Sequence, residues 1–411
     1  MDMQELTANI RKALEALHPF NATPGNGTTR LPFTREARGA VEHLKAYMAE
    51  AGLAVREDEA GNVIGVLEGE DSSLPALVMG SHYDTVINGG NFDGQAGIVA
   101  GVEIARLFRA NRVSLKRNFV VIAFCDEEGM RFSTGYFGSR SWMGEVDEAY
   151  LHTFKDKDGI SVFEAMKSYG LDPAALPNAR WDMNDVRAFI ELHIEQGPVL
   201  DAENIEVGLV DCIVGIRRYM VTVSGRPDHA GTTPMDMRMD AVEAASKVFS
   251  KIPDWARARG DGSVATTGFL KVTPGGINIV PEEVQFSIDI RSRNRESLLE
   301  LTDRIKKELD ITTKANGTSW KMEEKLTVEP LHLSPAMLDI MEESCTTRGY
   351  SYRRMVSGAG HDALAIGQHV ETVMVFTPSK NGRSHCPVEW TEYSDVAKAT
   401  SVIYDLVIGM Q

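Results

Sequence analysis

Cysteine is scarce: the 411 residues contain only Cys125, Cys212, Cys345 and Cys386, with no CxxC pair. Such scattered thiols exclude a thiolate zinc site and a disulfide framework, and they predict a reduced, cytoplasmic protein. Positive charge is also short, with 43 Lys plus Arg against 59 Asp plus Glu and a formal net charge of -16. That surface repels nucleic acid and anionic membranes, so neither is an expected partner. It would not attract an anionic substrate from a distance either. Any carboxylate specificity must come from local Arg or His groups. Long apolar runs are missing too, and nothing approaches the ~18 uncharged apolar residues of a membrane span. The polar start, Met1 to Lys12, predicts no signal peptide. The glycine-rich stretch from Gly89 to Gly101 lacks the G-x-G-x-x-G order of a dinucleotide site.

What is present is an ordinary globular composition, 43% apolar and 25% charged, in a chain long enough for two or three domains. Residues 35–52 carry apolar side chains at helical spacing, 62–67 and 74–80 read as strands, and 93–109 as helix. The run FVVIAFC, Phe119 to Cys125, suits a strand buried on both faces. Alternating strands and helices predict an α/β fold, a mostly parallel sheet sandwiched by helices. From Cys212 the order changes to strand 216–224, helix 236–252, strands 264–272 and 283–291, helix 295–309 and strand 318–328. That β-α-β-β-α-β order predicts an inserted ferredoxin-like α+β domain. The expected organisation is a catalytic domain in two pieces, 1–211 and 331–411, interrupted by residues 212–330.

Four clusters can carry chemistry. In Gly80-Ser81-His82-Tyr83-Asp84, His82 and Asp84 share a side of an extended segment, so Asp84 can orient His82. Read alone, the pair suits a structural histidine equally well. Asp126-Glu127-Glu128 follow the buried run, where three acids are costly unless a cation or water neutralises them. A solvated loop is the simpler reading of that run in isolation. FIELHIEQGPV places His193 between Glu191 and Glu195, with Gln196 next, and Arg383-Ser384-His385-Cys386-Pro387 follows the apolar strand 372–377. Together with Asp93, these residues sit at the C-terminal ends of expected parallel strands, where open α/β sheets bind ligands. Several nitrogen and oxygen ligands with one bridging carboxylate are what a two-metal hydrolytic site requires.

The segments GSHYDTVINGGNFDGQAG, AFCDEEGMRF, ELHIEQG, GRPDHAGTTPMDMRMDA, GGINIVP with IDIRS, SGAGHDA and SHCPVEW resemble the hydantoinase/carbamoylase branch of the M20 metallopeptidase-like amidohydrolases. The resemblance covers nearly the whole chain. It implies two divalent ions (Zn, Mn, Co or Ni), with His82 and His193 on one, Glu128 and His385 on the other, and Asp93 between them. Glu127 would be the general base, Asp84 its catalytic neighbour, and His229 an oxyanion donor. Gln196, Arg217, Asn278, Arg291, Gly358 and Gly360 would bind a carboxylate-bearing small molecule, and the inserted domain would act as lid and homodimer contact. The implied reaction is cleavage of the ureido C–N bond of N-carbamoyl-L-amino acids or allantoate, releasing ammonia and carbon dioxide. N-acyl amino acid deacylation or aminopeptidase activity on the same site is the alternative, and a non-catalytic binding protein the third reading. Arg218 and Cys386 receive no role.

Overall fold

The computed structural model describes residues 1–411, which form two compact units. Unit 1 comprises Met1–Asp211 with Leu333–Gln411, and unit 2 is Cys212–His332.

Unit 1 is built on strands β1 (Ala54–Glu57), β2 (Val63–Leu67), β3 (Ala76–His82), β4 (Phe119–Phe124), β5 (Val186–Ile194) and β6 (Val207–Ile213). Its sheet runs β1-β2-β4-β3-β5, continues through the strand Thr372–Thr377, and reaches β6. β3 is parallel to both β4 and β5, and β5 is parallel to Thr372–Thr377, whereas β1, β2 and β6 pair antiparallel. β3, β4 and Thr372–Thr377 are buried along their whole length, which explains why the sequence there is continuously apolar rather than alternating. Helices Met3–Leu17, Arg35–Glu50, Gln95–Ala110, Pro335–Arg348 and Tyr393–Gly409 pack into a single core, Gln95–Ala110 buried on every side from Gln95 to Ala105. The first of these helices, Met3–Leu17, is not among those expected from the sequence. Leu6, Ile10, Leu14 and Leu17 form its stripe, and Asp2 caps it by accepting the N–H groups of Gln4 and Glu5.

Arg30 shows how the segment before the second helix is fixed. Its side chain is fully buried and donates to the carbonyls of Phe20 (2.9 Å), Tyr83 (3.0 Å) and Leu17 (2.8 Å). Burial pulls its pKa down to about 10, with Asp84 working the other way, so the guanidinium stays charged at neutral pH and saturates three carbonyls near the end of β3.

Unit 2 contains β7 (Gly215–Ser224), β8 (Val264–Thr266), β9 (Leu270–Thr273), β10 (Glu283–Ser292) and β11 (Ser319–Val328) in the antiparallel order β11-β7-β10-β8, with β9 also on β10. The short β12 (Leu331–His332) pairs with Ile213 and Cys212. The remaining strands of unit 1 are β13 (Tyr352–Ser357), which pairs β6, and β14 (Thr372–Thr377). Val221, Val223, Val284, Phe286, Ile288 and Ile290 point from β7 and β10 onto Leu298, Leu301, Ile305 and Leu309 of the helix Arg295–Asn316. The single helix expected over 236–252 is instead Ala241–Phe249 followed by Ile252–Arg259. Asp240 starts the first by accepting from Val242 and Glu243, and Pro253 sits in the first turn of the second, where its missing N–H costs nothing. The strand expected over 264–272 is broken between Thr266 and Leu270.

Candidate functional site

The ends of four adjacent parallel strands in unit 1 carry the chemistry. His82 ends β3, Asp126, Glu127 and Glu128 follow β4, His193 is the penultimate residue of β5, and His385 lies beyond β14. Asp93 precedes the helix Gln95–Ala110 and is 4% exposed. Its Oδ1 is 3.0 Å from His193 Nε2 and 3.3 Å from His82 Nε2, while its Oδ2 is 3.1 Å from His385 Nε2. Glu128 Oε1 is 3.4 Å from His385 Nε2, and Glu127 Oε2 is 3.9 Å from His82 Nε2.

Backbone carbonyls aim the rings. His82 Nδ1 pairs with the Asp84 carbonyl at 3.1 Å and His193 Nδ1 with the Ile194 carbonyl at 2.9 Å, which turns both Nε2 atoms toward Asp93. The Asp84 carboxylate lies 3.6 Å from His82 Nδ1, and it accepts the amides of Glu127 (3.1 Å) and Glu128 (3.2 Å). Asp84 therefore ties the acidic loop to the histidine strand. Gly94 has φ 67°, and a Cβ there would collide with the carbonyl and ring of His82, so only glycine permits this approach. Asp126, Gln196 and His385 adopt left-handed backbone at φ 59°, 57° and 55°. Non-glycine residues held there store strain, and such strain gathers at functional sites.

The electrostatics describe crowded acids around imidazoles. Burial works against ionisation of Asp93, yet His193, His385 and His82 hold its carboxyl well below the usual carboxylate range. Burial pushes Glu127 well above that range; His82 opposes the shift, and Glu128, Asp362 and Asp84 reinforce it. Burial and then Asp93 lift Glu128 to about 7, and its contact with Asp93 lifts His385 to about 9. Four groups of side chains offer ligand atoms close enough to share a cation: His82–Asp93–His193 and Asp93–Glu128–His385, which meet at Asp93, and also His82–Glu127–Glu128 and Glu191–His193–His361. Asp93 Oδ1 is buried and receives no aligned hydrogen bond although two imidazole nitrogens stand beside it. Such facing of lone-pair donors suits a cation between them, and a set of imidazoles and carboxylates without thiolate admits Zn, Mn, Co or Ni.

Gln196 completes this cluster, with Nε2 2.9 Å from Asp93 Oδ2 and 3.1 Å from His385 Nε2. Gly358 and Gly360 lie on the loop between β13 and the short helix Asp362–Ile366, and the Tyr136 hydroxyl abuts Gly360 so closely that a Cβ would not fit. His361 is buried with its ring 4.5 Å from that of His193, and its Nε2 pairs with Ser357 Oγ at 2.8 Å. Glu191 is occupied by Ser81 Oγ and the Ala363 amide, both at 2.8 Å, and Glu195 accepts the amides of Val199 and Leu200 at the start of a helix.

His229, Arg217, Asn278 and Arg291 belong to unit 2. His229 and Asn278 are neighbours there: His229 bridges Ile279, and the Ala230 amide donates to the Asn278 carbonyl at 3.0 Å. Arg291 Nε donates to Asp289 Oδ1 at 2.9 Å, and Arg218 holds Asp289 Oδ2. Arg217 makes its contacts within unit 2. It is 4% exposed, its Nη1 donates to the carbonyls of Ile216 (3.1 Å) and Val328 (2.9 Å), and its Nη2 to Glu329 Oε1 at 2.5 Å. Its guanidinium is spent on tying β7 to β11 and the residue beyond. Ser384, which the sequence offers only as a neighbour of His385, and Glu389, to which the sequence assigns no role, both touch the Asp93 segment.

Comparison with known proteins identifies the family. The model of peptidase family M20/M25/M40 matches residues 78–408. An N-carbamoyl-L-amino-acid amidohydrolase of Paenarthrobacter aurescens is 45% identical over 404 residues, 98% of each chain. An allantoate amidohydrolase of Escherichia coli is 36% identical over 395 residues, 96% of this chain and 95% of its own. A solved amidase of the hydantoinase/carbamoylase family from Burkholderia multivorans superposes with a TM-score of 0.90 at 29% identity, covering 98% of this chain and 97% of that one. With a converging His, Asp and Glu cluster at its strand ends and a family match over most of its length, the chain belongs to peptidase family M20/M25/M40.

Proposed function

We propose that the chain is a dinuclear-metal amidohydrolase that cleaves the ureido C–N bond of N-carbamoyl-L-amino acids or allantoate, releasing ammonia and carbon dioxide. The observation that carries this reading is the single buried carboxylate of Asp93 shared by His82 and His193 on one oxygen and His385 on the other. His82 and His193 would hold one divalent ion, Glu128 and His385 a second, and Asp93 both. Bound there, the ions would supply Lewis acidity and make water a nucleophile at neutral pH.

The chain's own residues do the rest. Glu127, kept basic by burial and neighbouring acids, takes a proton from the attacking water and returns it to the leaving nitrogen. Asp84 holds the Glu127 amide and so fixes where that carboxylate stands. Gln196 steadies Asp93 and His385 and offers its amide to substrate beside Gly358 and Gly360. His229 donates to the developing oxyanion, a role worth roughly 100-fold or more in rate. Arg291 and Asn278 take the substrate carboxylate, for which the guanidinium fork is suited. The protein acts as a cytoplasmic homodimer joined through unit 2. That unit exposes Phe269, Leu270, Ile277 and Ile279, with Ile277 wholly in solvent, as an interface requires.

No helix is long and apolar enough to cross a membrane. The test of the activity is ammonia release from N-carbamoyl-L-amino acids, N-carbamoyl-β-alanine, allantoate and N-acetyl amino acids. Ammonia from one ureido group of compounds is expected and names the substrate. Acetate release with silence on every ureido compound would make the protein a deacylase instead.

A further inference from the structure

The Asp93 segment approaches its strand end without regular structure of its own, and something must hold it where three imidazoles can share it. Glu389 does so from the far end of the chain. This carboxylate is 5% exposed, and its Oε1 accepts the backbone amides of Phe92 at 3.0 Å and Asp93 at 3.2 Å. Its Oε2 accepts the Ser384 hydroxyl at 2.8 Å, and the same hydroxyl stands 3.2 Å from Asp93 Oδ2. Gly90 lacks a Cβ where Glu389 passes, and any Cβ would overlap the carboxylate. The next residue adds an apolar contact: the Trp390 ring meets the Phe92 ring edge-on at 5.2 Å. A turn in which the Glu389 amide donates to the Cys386 carbonyl at 3.0 Å links this anchor to His385. One buried acid thus fastens the loop of Asp93 to the loop of His385.

We propose that Glu389 is a positioning residue for the metal centre, setting the separation of Asp93 and His385 through the Phe92 and Asp93 amides and the Ser384 hydroxyl. It touches neither substrate nor any proposed ligand side chain directly. This inference rests on the proposed metal site. Residues that orient ligands in this way typically change metal affinity by about 10- to 100-fold when altered. Glu389→Gln retains an oxygen for the two amides but removes the charge and places an NH₂ group against Ser384, freeing the serine proton toward Asp93. Ser384→Ala removes the link alone.

The experiment is calorimetric titration of metal-stripped wild type, Glu389→Gln and Ser384→Ala with Mn²⁺, beside thermal melting of the same metal-free proteins. Wild type that takes up neither Mn²⁺ nor, in parallel titrations, Zn²⁺, Co²⁺ or Ni²⁺ would overturn the metal-centre reading itself, and if only one of the latter binds it replaces Mn²⁺ as the probe. With wild-type binding in hand, the expected result is about tenfold or greater weakening in Glu389→Gln at a metal-free melting temperature close to wild type. Affinity within twofold of wild type, with a change only in melting temperature, would make Glu389 a structural residue and overturn the proposal. Should Glu389→Gln fail to fold, Ser384→Ala decides: weaker Mn²⁺ binding supports the link, and unchanged binding overturns it.

Discussion

Glu127→Gln is expected to reduce kcat for the ureido substrate roughly a thousandfold, within the range by which a positioned general base contributes, while leaving metal content intact. The substitution keeps side-chain volume and removes only basicity. Glu127 is 9% exposed and stands 3.9 Å from His82; it could share a cation with His82 and Glu128, but it is not part of either group that meets at Asp93. Its amide donates to Asp84 and is untouched by the change. Single-turnover kinetics with metal analysis of the same sample checks this. A near wild-type rate in the Glu127→Gln variant would remove Glu127 from the proton path, and loss of metal from that variant would make Glu127 a ligand.

Asp93→Ala should act more broadly, abolishing uptake of both ions. One carboxylate serves three imidazoles, so its removal leaves His82 with His193, and Glu128 with His385, as incomplete pairs. Lewis-acid stabilisation of several kcal/mol then disappears with the ions, and the rate should fall about a thousandfold or more. His385→Ala, by contrast, should spare the pair formed by His82 and His193 and lose one ion. Elemental analysis after dialysis distinguishes the two variants. Retention of both ions by Asp93→Ala would show that the histidines bind without a shared carboxylate.

The cluster was legible because its residues stand where regular strands stop. FVVIAFC running into three acids, and an apolar strand running into His82, are local signals that need no knowledge of the partner strand. The ferredoxin-like order of unit 2 was legible for a similar reason, since β10 alternates along its whole length and β7 from Arg217 onward. The buried position of Arg217 follows from strand periodicity rather than from the Arg217-Arg218 doublet itself. Two-residue periodicity puts Arg217 on the face of Tyr219, Val221 and Val223, which is the core face, and Arg218 on the other. Glu389 was not legible at all. An acid between Val388 and Trp390 reads as surface, and its partners, the amides of Phe92 and Asp93, lie almost three hundred positions away. Backbone donors leave no trace in side-chain identity, so only the fold exposes such an anchor.

The most direct test follows ammonia release during titration of the metal-stripped protein with Mn²⁺ or Zn²⁺, using the best ureido substrate of the panel. Stripped protein should be silent, and activity should return as the second equivalent binds, with Glu127→Gln loading equally and remaining inactive. Full ammonia release by stripped protein, or full activity with one equivalent bound, would contradict a dinuclear centre built around Asp93.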